Sequence, residues 1–335
     1  MKLLLVGDPH VTLDSLEECG KLMEFVYQTA ASQKINEIVI LGDLHHNHAL
    51  TRVEVSCFWH RQLELAGDNG LMVRMLVGNH DLPGNAGGDP TAHALVGLED
   101  ISIGSQVYDK PFFMKDYEDK TTLGFLPYYF DPQKFVVDAN ALNADILFCH
   151  QTFLGARYSK DFPAPDGVDP ADLKCPLIIS GHIHMQQILG KVVYVGSPRW
   201  LTASDANQTR GIHIFDTETK QFEFISTDKV CRRILAFTVT PENEDEQILA
   251  DGLTHTIVTL RGPKQWVTKK IEGLHPDLVE HIELRSVYVD DREPAVKESE
   301  GIATSLQKYV MSRDWPVSKE QLWHQIVHRV PSLTK

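Results

Sequence analysis

The feature that most constrains this chain is a set of five polar motifs, each directly following a short apolar run rich in β-branched residues. The runs are Leu3 to Gly7, Glu37 to Gly42, Val73 to Gly78, Asp145 to His150 and Leu177 to Gly181, and they read as buried strands. The motifs are Asp8-Pro9-His10, Gly42-Asp43-Leu44-His45-His46, Gly78-Asn79-His80-Asp81, His150 and Gly181-His182-Ile183-His184. Amphipathic stretches at about Ser15 to Gln33 and Arg52 to Ala66 are long enough to act as crossovers between the first three strands. In an open α/β sheet ligands bind at the carboxyl ends of the strands, so donors spread over residues 8 to 184 can converge on one crevice.

The side chains these motifs offer are Asp, Asn and His, without a thiolate. That mixture of oxygen and imidazole donors suits Mn²⁺, Fe²⁺ or Zn²⁺ better than a Cys-rich structural zinc site, and there are donors enough for two metals. Residues two apart in an extended segment point the same way, so Asp8 with His10, and His182 with His184, can each serve one metal or a close pair. Gly42, Gly78 and Gly181 allow the sharp exit from each strand and leave room for a phosphate beside the backbone. A lone D-x-H carries little information; five elements in this order carry much.

With 335 residues and 42% hydrophobic content, the chain can build one large or two ordinary domains. No apolar run approaches the roughly 18 residues of a membrane span, and Asp8 interrupts the N-terminal apolar run, so a soluble, intracellular protein is expected. Cys19, Cys57, Cys149, Cys175 and Cys231 form no CxxC pair and are expected as buried small hydrophobes. The net charge of -14 works against polyanion binding. Residues 1–229 hold 18 Lys+Arg against 30 Asp+Glu, or -12, and residues 230–335 hold 14 against 16, or -2. An acidic region rich in His is also what a divalent-cation site requires, and ten of the 16 histidines precede residue 190.

Val192 to Val195, Gly211 to Phe215 and Phe222 to Ser226 are closely spaced and read as antiparallel strands closing a second sheet, with the core ending near residue 230. Ile234 to Val239, Thr254 to Leu260 and His281 to Val289 read as further strands, with helices at Glu242 to Ala250 and Trp266 to Leu274. Two tail helices, Val296 to Ser312 and Ser318 to Val330, present Ile302, Leu306, Tyr309, Val310, Leu322, Ile326 and Val327 to the body or to a partner. Arg261, Lys264, Trp266, Lys269 and Lys270 lie in a stretch with four positive charges, no acid and one aromatic. Such a stretch meets a DNA backbone and stacks on a base, or is a solvated helix face. His45 and His48 touch substrate or are solvated loop histidines, and Pro83 to Pro90 shapes a substrate cleft or is a surface loop.

In this order the motifs resemble the calcineurin-like metallophosphoesterases, whose pattern is D-x-H, G-D, G-N-H-D/E, H and G-H-x-H, and the match is complete over residues 8 to 184. The finer resemblance is to SbcD-type nucleases of bacteria and phages, with phage-encoded subunits closest in size and in the stretch Gly196 to Thr219. It rests on His46, three residues after Asp43, and on Gly196-Ser197-Pro198 followed by Arg210-Gly211 and a strand. The G-D-x-x-D-R-G element of the protein phosphatases is missing, because Leu44, His45, His46 and Asn47 follow Asp43.

The resemblance implies an α/β fold: a two-sheet metallophosphoesterase sandwich flanked by helices, with a small α/β cap domain and C-terminal helices. Residues 1–230 would be the catalytic domain, 231–293 a DNA-positioning cap and 294–335 a partner-binding segment. It implies one metal held by Asp8, His10, Asp43 and His184 and a second by Asp43, Asn79, His150 and His182, with Asp43 bridging. Mn²⁺ is the family's usual ion, with Mg²⁺, Fe²⁺ or Zn²⁺ as alternatives. Such cations, about 3.5 to 4 Å apart, stabilise the attacking and leaving oxygens of an in-line phosphoryl displacement by water. His80 would contact the phosphate and protonate the leaving oxygen, Asp81 would orient its ring, and His46 would assist opposite.

The implied activity is that of a metal-dependent DNA exonuclease and endonuclease in recombination and repair. The implied assembly is a homodimer within a heterotetramer containing an SbcC-type coiled-coil ATPase, in the cytoplasm of a bacterial cell or phage-infected host, without a membrane. A small-substrate phosphodiesterase or phosphomonoesterase is the alternative, favoured by the acidic balance. A non-catalytic scaffold is opposed by the intact His80 and the full ligand set.

Overall fold

Strand β1 (Lys2–Val6) is apolar and buried on both faces, which fixes its place between two layers. The computed structural model describes residues 1–48, 50–84, 92–99, 101, 104–116, 120–160, 162–243, 254–274, 282–289, 302–312 and 317–329. In it Leu3 and Leu5 enter one buried cluster, and Leu4 and Val6 enter another on the opposite face. Strands β2 (Glu37–Ile40), β3 (Met72–Leu76) and β4 (Ser105–Tyr108) follow in parallel beside β1. Helices α1 (Leu16–Gln33) and α2 (Val53–Asp68) cover the outer face. Leu22, Met23 and Val26 of α1, and Val55, Trp59 and Leu63 of α2, recur at helical spacing and pack on Leu4, Val6, Ile38 and Ile40.

The second sheet contains β5 (Phe112–Lys115), β6 (Thr122–Leu126), β7 (Ile146–His150), β10 (Leu177–Gly181), β11 (Gln187–Leu189) and β12 (Val192–Tyr194), in the order β11-β12-β10-β7-β6-β5. Between β7 and β10 the chain makes a small hairpin, β8 (Arg157–Ser159) with β9 (Phe162–Pro163). Helix α3 (Pro132–Leu142) closes the outer face through Phe135 and Ala139. Its start is written in the sequence: Asp131 accepts from the amides of Gln133 (2.9 Å) and Lys134 (3.3 Å), and Pro132 occupies the first turn. The inner faces of the two sheets meet across Leu3, Leu5, Val39, Leu41 and Leu76 on one side and Leu123, Phe125, Ile146, Phe148 and Ile179 on the other. The result is the helix-flanked two-sheet sandwich that the motif order implies.

One pairing differs from the sequence reading. Strands β13 (Gly211–Asp216) and β14 (Phe222–Ser226) do not close the second sheet; they extend the first, in the order β14-β13-β1-β2-β3-β4. β13 runs antiparallel to β1, with Leu3 opposite Phe215 and Leu5 opposite His213. Alternation explains the choice, since Phe215 enters the inter-sheet core while Ile212 and Ile214 enter the helix-side cluster. Only Val192–Tyr194 joins the second sheet, and it runs parallel to β10. The cysteines also divide: Cys19, Cys149, Cys175 and Cys231 are buried, whereas Cys57 is exposed on α2.

Contacts divide the chain into Met1–Ala236 with Leu249–Ile257, and Phe237–Ile248 with Val258–Lys335. A three-stranded sheet of β15 (Arg233–Val239), β16 (Thr254–Gly262) and β17 (Ile282–Tyr288) has β16 in the middle. Helix α4 (Lys264–Glu272) is anchored by Val267 in a cluster with Val239, Val258 and Leu260. The helix read at Glu242 to Ala250 lies outside the described residues from 244 onward. The tail contains helices Ile302–Ser312 and Lys319–Arg329, which touch each other. Among the described residues no helix is long and apolar enough to cross a membrane.

His213 on β13 is buried against Phe224 at 5.3 Å, with its Nε2 2.7 Å from Gln186 Nε2. Burial pushes its pKa down to about 4, so the folded chain keeps it neutral while the unfolded chain protonates below about 6.5. Its contribution to stability is therefore complete above that value and is lost as pH falls toward 4, by roughly 3 kcal/mol at the limit. Urea unfolding of chelator-treated protein at pH 7.5 and pH 4.5 should show a smaller acid loss in His213→Gln than in wild type. Equal losses would remove His213 from the acid response.

Candidate metal centre

The five motifs lie just beyond or at the carboxyl ends of β1, β2, β3, β7 and β10, three in the first sheet and two in the second. The two sheets thus bring their edges to one site. Two bonds continue the parallel pairing past the strand ends: His10 N donates to Asp43 O (2.9 Å) and Val11 N to Leu44 O (2.9 Å). Three of the donor residues leave their strands in the left-handed region, His10 at φ 46°, Asp43 at φ 50° and His182 at φ 77°. Such backbone costs of order 1–3 kcal/mol per residue and clusters where side chains must be aimed.

Gly42 makes the sharp exit that the sequence predicts, but the space beside Gly42 and Gly78 is used differently. At Gly42 (φ 106°) a Cβ would strike the His150 ring, and at Gly78 it would strike the carboxylate and amide of Asp43. The space beside these glycines is taken by the donors themselves rather than by a phosphate. Small residues are required because two loops and a side chain from the opposite sheet must share one volume.

Asp43 Oδ2 lies 3.4 Å from His10 Nε2 and 3.3 Å from His150 Nε2, so one carboxylate oxygen faces donors from both sheets. Asn79 Oδ1 sits 3.0 Å from His150 Nε2 and 2.8 Å from His182 Nδ1. His10 Nε2 and His184 Nε2 approach to 3.0 Å. The imidazole of His150 donates from Nδ1 to Leu41 O (2.7 Å), which turns Nε2 and its lone pair to the centre. Ligand atoms of Asp43, His150 and His182, and separately of His10, His46 and His80, lie within 4.8 Å of one another. All seven residues read as ligands are therefore gathered, though Asp8 does not pair with His10. Its Oδ1 accepts from His182 N (3.0 Å) and lies 3.4 Å from His150 Nδ1, while its buried Oδ2 has no partner among the described residues.

The electrostatics suit cations. Burial, with Asp43 close by, pushes the Asp8 carboxyl up to about 7. Burial would also raise Asp43, but His150, with His10 and His80, holds it well below the usual carboxylate range. His150 responds in reverse: burial opposes its charge, yet Asp43 and Asp8 raise it to about 9. Burial pushes His182 down to about 3 and His184 to about 4, and lowers His10 as well, leaving these imidazoles neutral with lone pairs free to ligate. An orphaned buried carboxylate oxygen amid crowded imidazole nitrogens and a side-chain amide oxygen is a donor set that fits divalent cations.

His80 stands at the rim, half-buried, with its amide donating to Asp43 Oδ1 (2.8 Å) and its Nδ1 donating to His46 O (2.5 Å). The carbonyl of His46, not Asp81, orients the ring. Asp81 is committed elsewhere: it accepts from the amides of Leu44 (3.3 Å), His45 (3.0 Å) and Gly78 (3.0 Å) and lies 3.2 Å from His45 Nδ1. The buried His45 is thus a brace between motifs, neither a substrate contact nor a solvated histidine. His48 reaches the site, stacked on His80 at 4.1 Å with its Nδ1 2.9 Å from Asn79 O. His46 lies with Nδ1 3.4 Å from His10 Nδ1.

The roles of three further residues were not read from the sequence. Arg199 donates to Pro9 O (2.8 Å), His10 O (2.8 Å) and Glu18 (2.7 Å), fixing the first motif against α1. Arg210 donates to His184 O and to Asp205, fixing the last motif. Ser197 Oγ donates to Asp8 O at 3.1 Å. The signal was present as Gly196-Ser197-Pro198 and Arg210-Gly211, but nothing in a string of letters says that these side chains reach back to residues 8 to 10 and 184.

The fork of Arg199 cannot be reproduced by an ammonium. Arg199→Lys should lower divalent-metal affinity about tenfold while leaving the fold intact, as read by Mn²⁺ titration calorimetry beside circular dichroism. Unchanged affinity would reduce Arg199 to an ion pair with Glu18.

The calcineurin-like phosphoesterase family model matches residues 1–186. Exonuclease subunit 1 of Enterobacteria phage T4 is 27% identical over 241 residues, covering 70% of each chain. "Putative phosphoesterase 244L" of Invertebrate iridescent virus 6 is 29% identical over 209 residues, covering 58% of this chain and 69% of its own. Among solved structures, the E. coli phosphoesterase Yfce covers 68% of this chain and 99% of its own at 13% identity and a TM-score of 0.33, too low to carry a functional reading. With the family match spanning more than half the chain and its motifs assembled at one edge, this protein belongs to the calcineurin-like phosphoesterases.

Proposed function

We propose that this metal-dependent phosphoester hydrolase is a DNA nuclease, cutting phosphodiesters as an exonuclease and endonuclease in recombination and repair. The observation that carries the reading is the similarity to an exonuclease subunit over 70% of both chains, with the donor set intact. Divalent cations at this centre, Mn²⁺ first among them, would supply Lewis-acid stabilisation of the phosphoryl oxygens and a more acidic water. Asp8, His10, Asp43, Asn79, His150, His182 and His184 would hold them, with Asp43 between the two groups. His80, its Nδ1 fixed on the His46 carbonyl, turns Nε2 outward to donate a proton to the leaving oxygen. His46 and His48, stacked with that ring at 5.6 Å and 4.1 Å, would shape the approach of the phosphate.

Further parts of the proposal concern assembly. The helices Ile302–Ser312 and Lys319–Arg329 would receive an SbcC-type coiled-coil ATPase, with two copies of the nuclease in a heterotetramer. The setting would be the cytoplasm of a bacterial cell or phage-infected host. Arg261, Lys264 and Lys269 are exposed at the end of β16 and along α4, where they would meet the DNA backbone. Trp266 is half-buried, with Lys270 Nζ 5.9 Å from its ring centre. A second reading, a small-substrate phosphodiesterase or phosphomonoesterase, is favoured by the net charge of -14 and by the viral phosphoesterase relative.

Mn²⁺-dependent cleavage of end-labelled duplex, hairpin and single-stranded DNA, beside a chromogenic phosphodiester, separates the readings. Wild type should cleave DNA, and His80→Ala should lose at least a hundredfold in turnover while retaining its metals. Turnover of the small ester alone would favour the second reading. Reversing Lys269 and Lys270 to Glu should weaken DNA binding and flatten its salt dependence while leaving the small ester unaffected. An unchanged salt slope would return the segment to a solvated helix face.

A further inference from the structure

A cleft of about 320 Å³ opens beside the metal centre, near the lower end of the range for pockets that enclose small ligands. Its walls are Leu82, Pro83, Pro111, Tyr128, Tyr129 and Phe130. Two features join it to the reacting groups. Tyr128 is shared, its ring stacked on His182 at 5.7 Å and 29°. Leu82 and Pro83 continue directly from His80 and Asp81.

The cleft is flat, aromatic and rigid. Tyr129 donates its hydroxyl to Asp138 at 2.6 Å and rests edge-on against Phe135 at 5.8 Å, so its ring plane is fixed before anything binds. Phe130 is 57% exposed, a large apolar face left in solvent. The lining carries both signs: exposed Lys110 and Lys134, the Lys134 ammonium 5.7 Å from the Tyr129 ring centre, beside Asp109, Asp131 and Asp138, of which Asp131 is spent on the amides that open α3 and Asp138 on the Tyr129 hydroxyl. Aromatic walls of this kind offer stacking faces to a planar ligand.

We propose that this cleft is the subsite for the nucleoside adjoining the scissile phosphate, with the base against Tyr129 and Phe130. The proposal rests on the nuclease reading above and places the base of that substrate. A preformed aromatic wall loses little freedom on binding, so stacking contributes to nucleotide affinity nearly in full. The base is taken by its face rather than by a hydrogen-bonded edge, which makes the subsite tolerant of sequence.

Calorimetric titration of the Mn²⁺-loaded full chain with thymidine 5′-monophosphate, and in parallel with inorganic phosphate, tests the subsite apart from turnover. Wild type should bind the nucleotide at least tenfold tighter than phosphate. Tyr129→Leu and Phe130→Ser should each erase most of that margin while leaving phosphate affinity in place. Phe130→Ser alters an exposed side chain, so it answers the question even if Tyr129→Leu perturbs packing. Equal affinities for nucleotide and phosphate in wild type, or a margin preserved in Phe130→Ser and in a folded Tyr129→Leu, would overturn the subsite. Wild type that shows the margin but cleaves no phosphodiester would refute the enzymatic reading and uphold the subsite, whereas DNA cleavage without the margin would do the reverse.

Discussion

The contact between Asp43 and His150 is where the two sheets become one site. Asp43 leaves the first sheet after β2, His150 ends β7 in the second, and their side chains meet at 3.3 Å with almost no exposure to solvent. A carboxylate so buried is tolerable only if its charge is answered at once. Here the answer is a raised His150 and a depressed Asp43, with Asp8 alongside as a second acid that burial drives toward neutrality. A proton on His150 and a divalent cation answer the same need, so metal and proton compete for one volume.

Everything around that contact serves to hold it open to a ligand. A sandwich core of Leu, Ile, Val and Phe fixes the separation of the sheets, and helices on both outer faces keep water from the strands. Left-handed backbone at His10, Asp43 and His182 aims their side chains inward, and Arg199, Arg210 and Ser197 tie the carbonyls of the aimed segments to the body. Asp81 and His45 brace the second motif against the third.

The same geometry divides the labour among histidines that are chemically alike. His150 is buried, and His182 and His184 are half-buried; the first two face the Asn79 amide oxygen and the third faces His10 Nε2, an arrangement suited to ligation. His80, also half-buried, is held by its Nδ1 on the His46 carbonyl. His45 is buried against a carboxylate and spent on structure. Three adjacent-looking histidines, His45, His46 and His48, thus have three environments, set by which way a short loop turns each of them.

The sequence alone determined the donor set and its order, because metal chemistry needs particular atoms and strand ends are marked by apolar runs that stop at glycine. It also determined that these strands are covered on both faces, since they are apolar on both, while the two-sheet sandwich followed from the family resemblance of the motifs. Strands such as β4, β5 and β6 are too short to show a period, and helix α3 beyond its Asp131-Pro132 start is too mixed in pattern, to be read locally. Tertiary structure decided that β13 and β14 extend the first sheet, because the open edge of β1 and the alternation of Ile212, Ile214 and Phe215 are satisfied together only there. It also decided that His46 O orients His80, that Asp81 braces His45, and that Arg199 and Arg210 hold the ligand loops. Those relations depend on contacts between residues up to about 190 positions apart, for which a linear pattern holds no period.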